Sequence, residues 1–157
     1  MDDNADFEKR ARELQEIILE DIRRTYGPAV IDHWQNPRNY RTLENPDGFA
    51  RLQGSCGDTM EMALRVKDEV IADCAFQTDG CGTTIVCGSV ATELAAGKPL
   101  IEALGKVNAE EILKILGGLP EADVHCAQLA AETLRRALAD YLQRRNAPWK
   151  KHFSRKE

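Results

Sequence analysis

Three cysteines stand in short polar motifs: Cys56 in Gly54-Ser55-Cys56-Gly57-Asp58, Cys81 in Asp79-Gly80-Cys81-Gly82-Thr83-Thr84, and Cys126 in Asp123-Val124-His125-Cys126. Asp58 and His125 bring two further metal-capable side chains to the same motifs. Glycines beside a cysteine let the backbone turn tightly and let a bulky inorganic ligand approach. Three soft thiolates with one harder oxygen or nitrogen donor suit iron–sulfur chemistry or zinc. A hard carboxylate among thiolates is a weak ligand and would make a bound cluster easier to lose. Read alone, Asp58 is a turn residue and His125 a surface residue at a helix start. Beside Cys56 and Cys126, a ligand or ligand-supporting role is the better reading.

The elements that must position these residues follow from periodicity. Phe7, Ala11, Leu14, Ile17, Ile18 and Ile22 predict an amphipathic helix over 6–24, ended by Gly27-Pro28. A short helix over 29–35 is stopped by Asn36-Pro37-Arg38-Asn39, and Asn45-Pro46-Asp47-Gly48 is a turn. Strands are expected over 49–53, 60–66 and 70–78, the last two joined by a tight connection through Lys67-Asp68-Glu69. Alternation puts Met60, Met62, Leu64 and Val66 on one buried face, and Val70, Ala72, Cys74 and Phe76 on another. Helices follow over about 83–96 with Gly97 just beyond, from the Asn108 cap to Leu116, and from an Asp123 cap to about Arg145. Strands first and helices after predict an α+β fold. It is a small three-stranded antiparallel sheet with helices on one face, plus an extra N-terminal helix.

On this map Cys56 lies in a turn between the first two strands. Cys81 lies at the start of one helix and Cys126 in the first turn of the last. Free N–H groups and the helix dipole favour thiolate at the latter two positions. Cys74 and Cys87 fall on apolar faces and read as core. His33 reads as structural and His152 as part of the tail.

The 157 residues suffice for one domain with a core that needs no disulfides. Five cysteines without a secretory pattern suggest reduced thiols in a cytoplasmic setting. No apolar run is long enough to span a membrane, and the acidic start reads as neither signal nor transit peptide. A net charge of −5 gives no overall attraction to nucleic acid. The basic residues Arg144, Arg145, Lys150, Lys151, Arg155 and Lys156 form either a solvated end or a patch for an acidic partner.

In order along the chain stand Val30-Ile31-Asp32-His33-Trp34, Asn36-Pro37-Arg38-Asn39, Cys56-Gly57-Asp58, Gly80-Cys81-Gly82, Gly97-Lys98, Leu119-Pro120 and His125-Cys126. From about Tyr26 to about Tyr141 the sequence thus resembles the IscU/NifU-type iron–sulfur cluster assembly scaffolds. The resemblance implies an N-terminal extension over 1–25, a scaffold domain over 26–145 and a basic tail over 146–157. It implies that Cys56, Cys81 and Cys126, with Asp58 or His125, hold a nascent [2Fe–2S] cluster. It further implies sulfur delivered as persulfide by a cysteine desulfurase, with Cys126 the acceptor. Transfer to client apoproteins, and frataxin-like or ferredoxin partners, are implied too. Such a protein is a scaffold and not a turnover enzyme.

A related branch uses a zinc-bound site as persulfide acceptor, a sulfurtransferase. It typically has an insertion between the second and third cysteines and no His before the third. His125 and the compact stretch from Cys81 to Cys126 favour the cluster scaffold, with zinc a candidate occupant of the empty form. A third reading is a structural zinc domain. Scaffolds of this type often carry Leu-Pro-Pro-Val-Lys, read by an Hsp70-type chaperone. This chain has Leu119-Pro120-Glu121-Ala122-Asp123, so recognition by that chaperone does not carry over. The helix before Tyr26 is also unlike much of the family. Its expected roles are to cover the core, to pair two subunits as a homodimer, or to meet a partner.

Overall fold

The computed structural model describes residues 3–147. The basic cluster from Lys150 to Lys156, and His152, lie outside the described residues. The elements are α1 (Asp3–Thr25), α2 (Pro28–Gln35), β1 (Gly48–Gln53), β2 (Thr59–Lys67), β3 (Val70–Thr78), α3 (Gly82–Ala95), α4 (Leu100–Lys106), α5 (Ala109–Leu116) and α6 (Val124–Asn146), with a 3-10 turn (Glu121–Asp123) leading into α6. The sheet is antiparallel in the order β1-β2-β3. Helix α6 lies across β1 and β2, and α3 packs on β3. The expected α+β architecture is therefore present. Among the described residues, no helix is long and apolar enough to cross a membrane.

Met60, Met62, Leu64, Cys74 and Phe76 from the sheet meet Val86, Cys87 and Val90 of α3 and Leu134 and Leu138 of α6 in one core. Helix α3 is buried along most of its length because α2 and α5 cover the side turned from the sheet. Asn108 caps α5 as expected, its side chain accepting the Glu111 N–H at 2.9 Å. Gly97, just beyond α3, and Gly117, after α5, take positive φ.

Four details depart from the sequence reading. Arg65 pairs with Asp73 but Val66 pairs with Ile71, so Ala72 has no cross-strand partner. This bulge inverts the alternation: Ile71 is buried, Ala72 is exposed, and Val70 is not fully covered, while Cys74 and Phe76 keep their predicted face. Helix α4 was not foreseen; it follows Pro99 and buries Leu100 and Ala103. Asp123 precedes α6 but makes no side-chain cap bond. Finally, α1 buries none of its residues, and Phe7, Leu14, Ile17 and Ile18 of its apolar stripe are all exposed. It does not cover the core.

Candidate metal centre

The three polar cysteines come from one end of three different elements. Cys56 is exposed in the β1–β2 turn, where Gly54 N–H bonds Asp58 O at 2.8 Å and Gly57 N–H bonds Gly54 O at 3.1 Å. Gly57 closes that turn at φ 90°, a conformation side chains strain to adopt. Cys81 stands at the N-terminus of α3, where its carbonyl accepts Ile85 N–H at 3.1 Å and its thiol is exposed. Cys126 lies in the first turn of α6 and is buried.

Asp58 reaches this group from the end of the turn. Its Oδ2 accepts the Thr84 hydroxyl at 2.8 Å. The same hydroxyl oxygen lies 3.4 Å from Cys126 Sγ and 3.6 Å from Cys81 Sγ. His125 Nε2 is 3.5 Å from Cys126 Sγ. Asp58, Cys81, His125 and Cys126 are thus linked through short polar contacts, with Cys56 on the neighbouring turn. Among the described residues, no three His, Cys, Asp or Glu side chains stand close enough to hold a metal ion as placed. To hold a metal, these side chains would have to close further.

At the glycines around Cys81 the protein's own side chains come close to the backbone. A Cβ at Gly80 would lie 2.6 Å from Asp58 Oδ2, and one at Gly82 would lie 2.9 Å from Trp34 Nε1. The carboxylate and the indole therefore approach the backbone on either side of Cys81.

The thiols are not alike. Burial pushes the Cys81 thiol up, but the Thr84 and Thr83 backbone groups and the Thr84 hydroxyl outweigh it, leaving the pKa below its ordinary value. At Cys126 burial wins over the Thr84 hydroxyl and raises the thiol to about 11. Desolvation there overrides the thiolate preference expected from the helix dipole. Cys74, raised to about 12, and Cys87, also raised, are both fully buried and held up by desolvation.

Residues not assigned to the site from sequence complete the setting. Tyr26 donates its hydroxyl to Asp123 Oδ2 at 2.8 Å, tying the chain after α1 to the segment before Cys126. That bond and burial raise the Tyr26 pKa. His33 is buried, with Nδ1 2.7 Å from Ser89 Oγ, which also accepts the Arg38 backbone N–H at 2.8 Å. Asn39 Nδ2 donates to Thr92 Oγ1 at 3.2 Å. His33 and the Asn-Pro-Arg-Asn motif thus clamp the α2–β1 connection to α3. Thr84 carried one sequence signal: it stands three residues after Cys81 at a helix start, and so on the same helix face.

Known proteins resemble this chain in sequence and in fold. Residues 25–148 match the family model described as the NifU-like N terminal domain. The "Iron-sulfur cluster assembly scaffold protein IscU 1" of Archaeoglobus fulgidus is 45% identical over 120 residues, covering 76% of this chain and 78% of that protein. The "Iron-sulfur cluster assembly scaffold protein IscU" of Escherichia coli (strain K12) is 39% identical over 130 residues, covering 78% of this chain and 98% of that protein. A solved NifU-like N-terminal protein from Brucella abortus superposes with a TM-score of 0.60 at 20% identity, covering 78% of this chain and 97% of that one. The last likeness bears on the fold alone.

Proposed function

This chain belongs to the NifU-like N-terminal domain family and is an iron–sulfur cluster assembly scaffold of the IscU/NifU type; from that premise we propose that it builds a [2Fe–2S] cluster and passes it to client apoproteins. The observation that carries the reading is the meeting of Asp58, Cys81 and Cys126 around one hydroxyl, with Cys56 and His125 alongside. Two irons bridged by two sulfides need four protein donors. Cys56, Cys81 and Cys126 supply three, and Asp58 or His125 the fourth.

The cluster is cargo, and the protein's own part is to gather soft donors at an accessible edge. Sulfur comes as the outer atom of a persulfide made by a cysteine desulfurase. Reducing that atom to sulfide consumes two electrons and returns the cysteine thiolate, so a ferredoxin-type donor is required. Cys126 is the proposed acceptor, and burial sets a condition on it: the turn at His125-Cys126 must open before a donor's persulfide can reach the sulfur. No independent turnover activity is proposed, and the reduced thiols suit a cytoplasmic setting.

The test is anaerobic reconstitution with ferrous iron, cysteine, a desulfurase and reduced ferredoxin as the electron donor. Visible absorbance with iron and sulfide in equal amounts is expected. Cys56→Ser, Cys81→Ser and Cys126→Ser should each abolish it, because a hydroxyl is a poor donor to cluster iron. Cys74→Ala should assemble normally. Tightly held zinc with no cluster would replace this reading by the zinc-dependent persulfide acceptor. Assembly surviving in Cys56→Ser would overturn the ligand set.

A further inference from the structure

Three threonines are fully buried in this protein, and one behaves unlike the others. Thr92 donates to Gly88 O at 2.8 Å and Thr133 to Leu129 O at 2.7 Å, each bonding the carbonyl four residues back in its own helix. Thr84 makes no such bond among its contacts. Its hydroxyl crosses to another part of the fold and donates to Asp58 Oδ2 at 2.8 Å. A hydroxyl has one proton and two lone pairs. That one proton has its shortest acceptor in Asp58 Oδ2, while Cys126 Sγ at 3.4 Å and Cys81 Sγ at 3.6 Å are longer alternatives around the same oxygen. The oxygen is at the hub of three candidate ligands and is itself too buried to serve water.

Among the described residues, Thr84 is the hydrogen-bond partner of the Asp58 carboxylate. The neighbouring turn amide, Thr59 N–H, is taken by Asp79 Oδ1 at 2.7 Å. The Asp58 carboxylate lies instead over Gly80, where a Cβ would approach Oδ2 to 2.6 Å. Resting on the scaffold reading above, we propose that Thr84 is the positioning residue that holds Asp58 beside the Cys81–Cys126 pair, so that its carboxylate is presented as the hard donor to incoming metal. Thr84 does not itself ligate. It acts through Asp58, because a buried methyl in place of the hydroxyl leaves the carboxylate facing apolar surface and drives it out toward solvent.

Cobalt(II) titration of the reduced, full-length chain tests this without cluster assembly, through the ligand-field and thiolate bands of the bound ion. Thr84→Val keeps the shape and removes the hydroxyl. It should weaken cobalt binding roughly ten- to thirtyfold, the lower part of the range for one hydrogen bond to a charged group. Thr84→Ser should restore both affinity and spectrum. In an Asp58→Ala background, Thr84→Val should have no further effect, since the residue through which it acts is gone. Circular dichroism checks that each variant is folded. If Thr84→Val matches the wild type, or weakens binding equally with and without Asp58, the proposal fails while the scaffold reading stands. If the wild type shows no thiolate-bound cobalt, both fail together.

Discussion

Gly80→Ala is the smallest change that should disturb the site without touching a ligand. The glycine's φ is not in the left-handed region, so the effect is steric and not conformational. The added carbon would lie 2.6 Å from Asp58 Oδ2 and 2.8 Å from Thr84 Cβ. Thr84 is buried on α3 and cannot step aside, whereas the carboxylate sits at the end of a side chain and can. The carboxylate retreats and its bond to the Thr84 hydroxyl breaks. For a partly buried charged acceptor that costs about 1–2 kcal/mol. Relieving the remaining contact with Thr84 Cβ shifts the start of α3 and adds about 1 kcal/mol. A total of about 2–3 kcal/mol corresponds to a melting temperature lower by about 4–12 °C for a domain of this size. Thermal unfolding followed by circular dichroism measures it on the reduced apoprotein. Combined with Thr84→Val, the losses should be clearly less than additive, because both variants remove the same bond. An unchanged melting temperature in Gly80→Ala, or full additivity in the double variant, would refute the described packing.

Two further outcomes follow from the side-chain environments. Iodoacetamide should label Cys81 and Cys56 first in the native reduced protein, Cys126 slowly, and Cys74 and Cys87 only on unfolding, with Cys81 reacting at lower pH than Cys126; peptide mass spectrometry gives the order, and rapid native labelling of Cys126 would contradict its burial. Burial, aided by Arg38 and opposed by Glu93 and Asp32, holds the His33 pKa below its ordinary value. The unfolded chain therefore binds the proton first, and the stability this histidine contributes is full above about pH 6.5 and lost as pH falls through the depressed folded value. The melting temperature of wild type should drop more steeply between pH 7.5 and 5.5 than that of His33→Asn; parallel slopes would show that His33 is not the titrating group.

Much of this arrangement was legible in the residues. Alternation and turn chemistry located the three strands, because Met60, Met62 and Leu64 are wholly buried on one face while Glu61 and Arg65 stand on the other, where Ala63 is the one apolar, buried exception between them. The motif cysteines stand at element ends, and topology brings those ends together. What stayed hidden depended on contacts between distant segments. The bulge at Ala72 leaves no local mark, since Val70, Ile71 and Ala72 are all apolar and fit either phase. Helix α4 is too short for its period to register. Asp123 looked like a cap because its type and place are right, yet its carboxylate serves Tyr26, 97 residues earlier. The burial of Cys126 and the reach of Thr84 depend on how α6 and the β1–β2 turn meet α3, which no single motif encodes.

The placement of the three thiols on separate elements has a topological consequence. In the proposed reading, a bound cluster ties the β1–β2 turn, the head of α3 and the head of α6 into one knot, closing two loops of about 25 and 45 residues. By the chain-entropy reckoning used for disulfides, each closure restricts the unfolded chain by about 3.5–4 kcal/mol. The cargo is therefore also a staple, set when the cluster forms and cut when a client takes it. A loaded chain should resist proteolysis that an empty one does not. On that reading each delivery would leave behind a chain that unfolds more readily than the one that arrived.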